Sequence, residues 1–137
     1  MQRRKFIKNV AGTAVLGGLL GNSIPSALAS SHKQQNKMIV HYVLFWLRED
    51  LSQQEIKDFT GFFEELRKIP NIHSLQYGPP AKTHARDVVD NSFSYNLLVQ
   101  FKNMDDINVY ETHPIHLAAI EKYSNNWTKV VVHDSVL

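Results

Sequence analysis

Tyr110, His113 and His116 fall within one short stretch, Tyr110-Glu111-Thr112-His113-Pro114-Ile115-His116. A phenol and an imidazole form a usable pair for proton transfer near neutral pH. Pro114 sets their geometry. It biases His113 away from the α region, while proline itself suits the first turn of a new helix. The spacing predicts one helix ending near Tyr110 and a second opening at Pro114, with His116 in its first turn. Such a break aims all three side chains into one cavity. The same residues also read as packing: Tyr110 as an amphipathic core residue, His113 as a helix-entry residue, and His116 as a satisfied, half-buried imidazole. The His-x-x-His pair supplies two ligands, which do not complete a zinc site, and no metal is expected.

The elements that must carry these groups follow from periodicity. Residues 39–47 alternate as a strand, with His41, Val43, Phe45 and Leu47 on one face and Val40, Tyr42, Leu44 and Trp46 on the other. Both faces are apolar, which predicts burial on both sides. Ser52-Gln53-Gln54-Glu55 is a capping box. It opens a helix with Ile56, Phe59, Phe62, Phe63, Leu66 and Ile69 on one side, closed by Pro70-Asn71. A second strand is expected over 72–77, a polar loop over 81–92 and a third strand over 93–102. Helices follow over 104–111, with Met104, Ile107 and Tyr110 on one stripe, and 114–125, with Leu117, Ile120 and Tyr123 turned inward. A last strand covers 127–136. The order β-α-β-β-α-β is that of an α+β, ferredoxin-like domain.

This order leaves one sheet face open, since two helices cover only the other. An open face holding several aromatic or branched residues is a large apolar patch. A second copy is its simplest cover, so a homodimer is expected, with sheets packed face to face or joined into a dimeric α/β barrel. The alternative is a monomer capped by the 81–92 loop.

The N-terminus reads as an address. Arg3-Arg4-Lys5 precedes a glycine-interrupted apolar run from Val10 to Leu20, well short of the roughly 20 apolar residues that span a bilayer. Ala27-Leu28-Ala29 supplies a small-residue cleavage site. Together these predict a twin-arginine (Tat) signal peptide over 1–29, a linker over 30–37 and a mature domain over 38–136. Export to the periplasm or beyond is expected, with no membrane attachment after cleavage.

Removing the signal changes the charge. The chain has 15 basic and 13 acidic residues. Residues 1–29 hold Arg3, Arg4, Lys5 and Lys8 and no acid, so the remainder carries 11 and 13, a net charge of −2. No basic patch survives to bind nucleic acid. There is no cysteine, which excludes disulfides and thiolate chemistry.

Three segments, Met38 to Phe45, Tyr110 to His116 and Val131-Val132-His133-Asp134, together resemble the stress-responsive A/B barrel (Dabb) family, over about residues 38–136. The resemblance implies ferredoxin-like dimers with a barrel between two sheets. It also points to the plant olivetolic acid cyclase, a member that closes a polyketide chain by aldol chemistry without a cofactor. By that likeness Tyr110 and His116 carry catalysis and His41 lines the pocket. Asp134 corresponds to a strand aspartate near the catalytic group. Phe62 departs from the cyclase, standing where it has a pocket tyrosine.

Two functions compete. In one, His116 removes a proton next to a carbonyl and Tyr110 donates a hydrogen bond to the developing enolate. Asp134 orients the imidazole, with His41 and His113 around the ligand and no cofactor. In the other, the same apolar pocket holds a small aromatic or carbonyl ligand without chemistry, as a binding or stress-protective dimer. Trp46, Tyr95, Phe101 and Trp127 are candidates to line it or to build the core.

Overall fold

The computed structural model describes residues 37–137. The expected signal peptide at 1–29, and the linker up to residue 36, lie outside them. The described chain forms β1 (Ile39–Leu47), α1 (Gln53–Leu66), β2 (Ser74–Gly78), β3 (Tyr95–Phe101), α2 (Met104–Thr112), α3 (Pro114–Tyr123) and β4 (Trp127–Val136), with one 3₁₀ turn at Ser124–Asn126 before β4. The strands form one antiparallel sheet in the order β2-β3-β1-β4. This is the expected ferredoxin-like arrangement, with the second helical region broken in two by Pro114.

β1 lies inside the sheet, and its alternation decides which side chains meet the helices. Ile39, His41, Val43, Phe45 and Leu47 are buried. Its neighbours are in register: His41 stands opposite Val99 on β3 and Asp134 on β4. α1 starts where both halves of the capping box close. The Ser52 hydroxyl accepts from the Glu55 N–H at 3.2 Å, and the Glu55 carboxylate accepts from the Ser52 N–H at 2.7 Å. One turn apart, Phe59, Phe62, Phe63 and Leu66 then face the sheet and are buried. Asn71 takes the left-handed conformation, φ 70°, which asparagine tolerates better than most residues. That turn delays β2 to Ser74, two residues later than expected.

The core is a sheaf of rings. Phe45 on β1 packs edge-on to Phe59, Phe62 and Phe63 of α1 at 5.6 to 5.7 Å between centroids, and tilts against Trp127 of β4 at 5.5 Å. Burying each such side chain contributes about 1.5–3 kcal/mol.

Two sequence expectations need correction. Met104 was placed on the inner stripe of α2 with Ile107 and Tyr110. The last two are buried, but Met104, first residue after the Asn103 cap, is 55% exposed. In α3, Leu117 and Ile120 were expected inward; Leu117 is exposed, Ile120 borders a cavity while still 36% exposed, and the packed row is Ile115, Ala119 and Tyr123. Close approach of α3 to α1 chooses that row. Ala119 is small, and a Cβ on Gly61 would stand only 2.6 Å from the Tyr123 hydroxyl. Within one chain only one face of β1 is sealed, as two helices on one side of the sheet require. Val40, Tyr42, Leu44 and Trp46 are half-buried, as are Leu98 on β3 and Val131 on β4. The 81–92 loop does not cover them: apart from half-buried Val89 its residues are exposed. It reaches this face at Trp46, whose indole N–H donates to the Ser92 hydroxyl at 3.0 Å.

Candidate active site

A cavity of about 200 Å³ opens between the helices and the β1–β4 side of the sheet. Most of its wall is apolar, with Phe45, Phe62 and Trp127 at one side and Val130 and Val132 on β4. The polar groups are His41, Tyr110, Glu111 and His116.

Pro114 builds that polar group of residues. In an uninterrupted helix the Tyr110 carbonyl would accept from residue 114 and the Glu111 carbonyl from residue 115. Proline has no N–H to give. The His113 N–H bonds Tyr110 O instead, at 3.2 Å. His113 takes an extended backbone, φ −65° and ψ 136°, and caps α3: its Nδ1 accepts from the Ile115 N–H at 3.1 Å. With the Ile115 N–H diverted, the Glu111 carbonyl is free. His116 Nδ1 takes it, at 3.1 Å.

That bond fixes a tautomer. A carbonyl only accepts, so His116 Nδ1 carries the proton and neutral His116 keeps a lone pair on Nε2. Burial pushes the His116 pKa below its ordinary value, against a smaller upward pull from the Glu111 carbonyl bond, and nearby His41 lowers it further. The ring is therefore a neutral base at pH 7. His113 is the opposite tautomer, since its Nδ1 accepts.

Tyr110 is 1% exposed, between Phe101 at 5.1 Å and His116 at 4.6 Å, centroid to centroid. Burial, helped by the Glu111 charge, holds its pKa well above the ordinary value, so it stays a phenol. Among the described residues nothing bonds its hydroxyl, and no buried side-chain polar atom is left unpartnered. The hydroxyl therefore reaches the cavity and remains available as a donor. His41 stands edge-on to Tyr110 at 5.8 Å, and its Nδ1 donates to Asp134 at 2.7 Å.

The structure thus brings Tyr110, His116, His41 and Phe62 to one cavity. Asp134 touches it only through His41. The expectation that Asp134 orients His116 is not met, because the β1–β4 register sets it against His41 while His116 leans on Glu111. His113 is a helix cap and does not line the cavity. Of the four aromatic candidates Trp127 alone lines it; Trp46 faces the open side of the sheet. Glu111 was missed. Its signal was its place before the Pro114 break, where a carbonyl loses its helical donor.

What fold and cavity define is a ferredoxin-like α+β domain with a phenol–imidazole pair in an apolar pocket between sheet and helices. The profile of the stress responsive A/B barrel domain family matches residues 39–137, and the chain belongs to that family. Among solved structures, it is 27% identical to a dimeric protein of unknown function and ferredoxin-like fold from Bacteroides fragilis (TM-score 0.56; 73% of this chain, 96% of that one). It is 20% identical to a Dabb family protein from Mesorhizobium loti (TM-score 0.61; 74% and 97%). It is 18% identical to the hydroxynitrile lyase of Passiflora edulis (TM-score 0.64; 74% and 94%). No curated protein matches it.

Proposed function

We propose that this chain is an exported, homodimeric, cofactor-free acid–base enzyme that acts on carbon next to a carbonyl in a small apolar substrate. One observation carries the reading: Glu111 O holds His116 as the Nδ1–H tautomer beside a Tyr110 hydroxyl that has no partner among the described residues. His116 Nε2 takes a proton from the α-carbon. The C–H electron pair becomes the enolate double bond, and the carbonyl oxygen gains the charge. Tyr110 donates a hydrogen bond to that oxygen, and return of the proton from His116 to carbon or to a new product closes the cycle. His41, steadied by Asp134, forms the adjoining wall.

Support for the homodimer comes from the half-open apolar face of the sheet and from the dimeric description of the Bacteroides fragilis protein. Arg3-Arg4 and Ala27-Leu28-Ala29 support Tat export to the periplasm. The Passiflora edulis lyase has a similar backbone, so the fold is compatible with lyase chemistry. The apolar lining also suits a second reading, ligand binding without turnover.

Deuterium exchange separates the two without knowledge of the product. Acetophenone incubated with the enzyme in deuterium oxide is expected to lose methyl protons by NMR faster than in buffer. Tyr110→Phe and His116→Ala should each slow this by roughly 10²-fold or more. Exchange that is unchanged in His116→Ala removes the catalytic reading. The dimer is tested by sedimentation at micromolar concentration and export by fractionation of cells carrying Arg3→Lys/Arg4→Lys; a monomer, or a variant still exported, overturns the respective part.

A further inference from the structure

Two charged groups border the polar end of the cavity, and neither is a lysine or arginine. Glu111 is the one acidic residue of the lining, and His41 is backed by a second acid, Asp134. Among the described residues no lysine or arginine acts electrostatically on Tyr110 or His116; Glu111 acts on both, and the two neighbouring imidazoles act on His116. A site built to hold a carboxylate or phosphate beside the reacting carbon normally supplies a guanidinium or ammonium. Here the fixed full charges are negative.

Volume sets the second limit. An apolar cavity of roughly 150 Å³ accepts benzene. A space of about 200 Å³ therefore holds one ring and a short carbonyl-bearing substituent. The rings of Phe45, Phe62 and Trp127 offer that ring edge-to-face contacts, while the carbonyl points to Tyr110 and His116.

We propose that the site selects uncharged, single-ring carbonyl compounds, and that the Glu111 carboxylate is the residue that rejects anions at the carbonyl end. This rests on the acid–base reading of the same cavity for its orientation, and on size and charge alone for its selectivity. Compounds with a carboxylate next to the carbonyl are excluded.

Two ligands of nearly equal shape test it: 1-phenylpropane-1,2-dione, which is neutral, and benzoylformate, which places a carboxylate where the dione has an acetyl group. Affinity is read by titration calorimetry, so no turnover is needed. Wild-type protein should bind the dione at least about tenfold more tightly, a gap that one nearby carboxylate can produce. Glu111→Gln should reduce the gap to about threefold or less by raising benzoylformate affinity, with the dione unchanged. The Glu111 side chain is exposed, and Glu111→Asp, which keeps the charge, should keep the gap. Benzoylformate binding as tightly as the dione, a gap indifferent to Glu111→Gln, or failure of both ligands to bind overturns the proposal. Failure of deuterium exchange with these affinities intact removes only the catalytic reading.

Discussion

At one end of the cavity Phe45, Phe62 and Trp127 are fixed by rings on several sides. At the other, His41 and His116 hang on one side-chain hydrogen bond each, and Tyr110 on the packing of a helix that breaks three residues later. The aromatic end is redundant. Phe59 alone meets Phe45, Phe62, Phe63, Tyr95, Tyr123 and Trp127 within 6.3 Å, so no single contact defines its place. The polar end has no such reserve. Its chemistry depends on which nitrogen carries a proton, and that depends on one carbonyl. Redundant packing fixes the frame, and sparse hydrogen bonds on that frame set the protonation states.

The sharpest way to break this comparison is to cut each end once. Phe59→Ala removes a fully buried ring and should cost about 3–5 kcal/mol in urea denaturation. His116→Ala truncates a half-buried side chain and should cost about 1 kcal/mol, while slowing exchange by roughly 10²-fold or more. Comparable stability losses for the two would show that the polar end is also structural frame, and the contrast would fall.

The same contrast explains what was legible in the sequence. Features fixed by neighbours along the chain could be read: the alternation of β1, the Ser52–Glu55 capping box, and the break at Pro114. Features fixed across the chain could not. The inner row of α3 depends on Gly61 admitting Tyr123, which no periodicity reveals. The partner of Asp134 depends on the β1–β4 register, and residue types alone suit His41 and His116 equally. Tyr110 and His116 were identifiable as a pair because Pro114 brings them together locally. Glu111 was overlooked because its main contribution is a backbone carbonyl, which every residue has.

A smaller effect sharpens the claim about the polar end. The His116 pKa is lowered by burial, so the folded state binds its proton less readily than the unfolded chain. The stabilising share of neutral His116 is fully present above the unfolded value of about 6.5 and is lost as pH falls through the folded value. Exchange activity should follow the same sign, flat near neutrality with an acid limb below pH about 6.5 as Nε2 becomes protonated. A limb centred above 6.5 would mean that the group is stabilised as a cation, contrary to its burial.

The smallest effect concerns His113, which separates capping from ligand contact. Its Nδ1 holds the Ile115 N–H and so leaves the Glu111 carbonyl for His116. His113→Ala should cost about 1 kcal/mol as the cap is lost. The freed Ile115 N–H then competes for the Glu111 carbonyl, and His116 loses its tautomer lock. Exchange should fall severalfold, less than for removal of His116 itself. His113→Asn restores a side-chain acceptor at a position where asparagine caps well, and should recover both stability and exchange. Recovery of stability without exchange would mean that the imidazole of His113 acts on the ligand directly. The polar end would then have a further working group that the cavity wall does not contain.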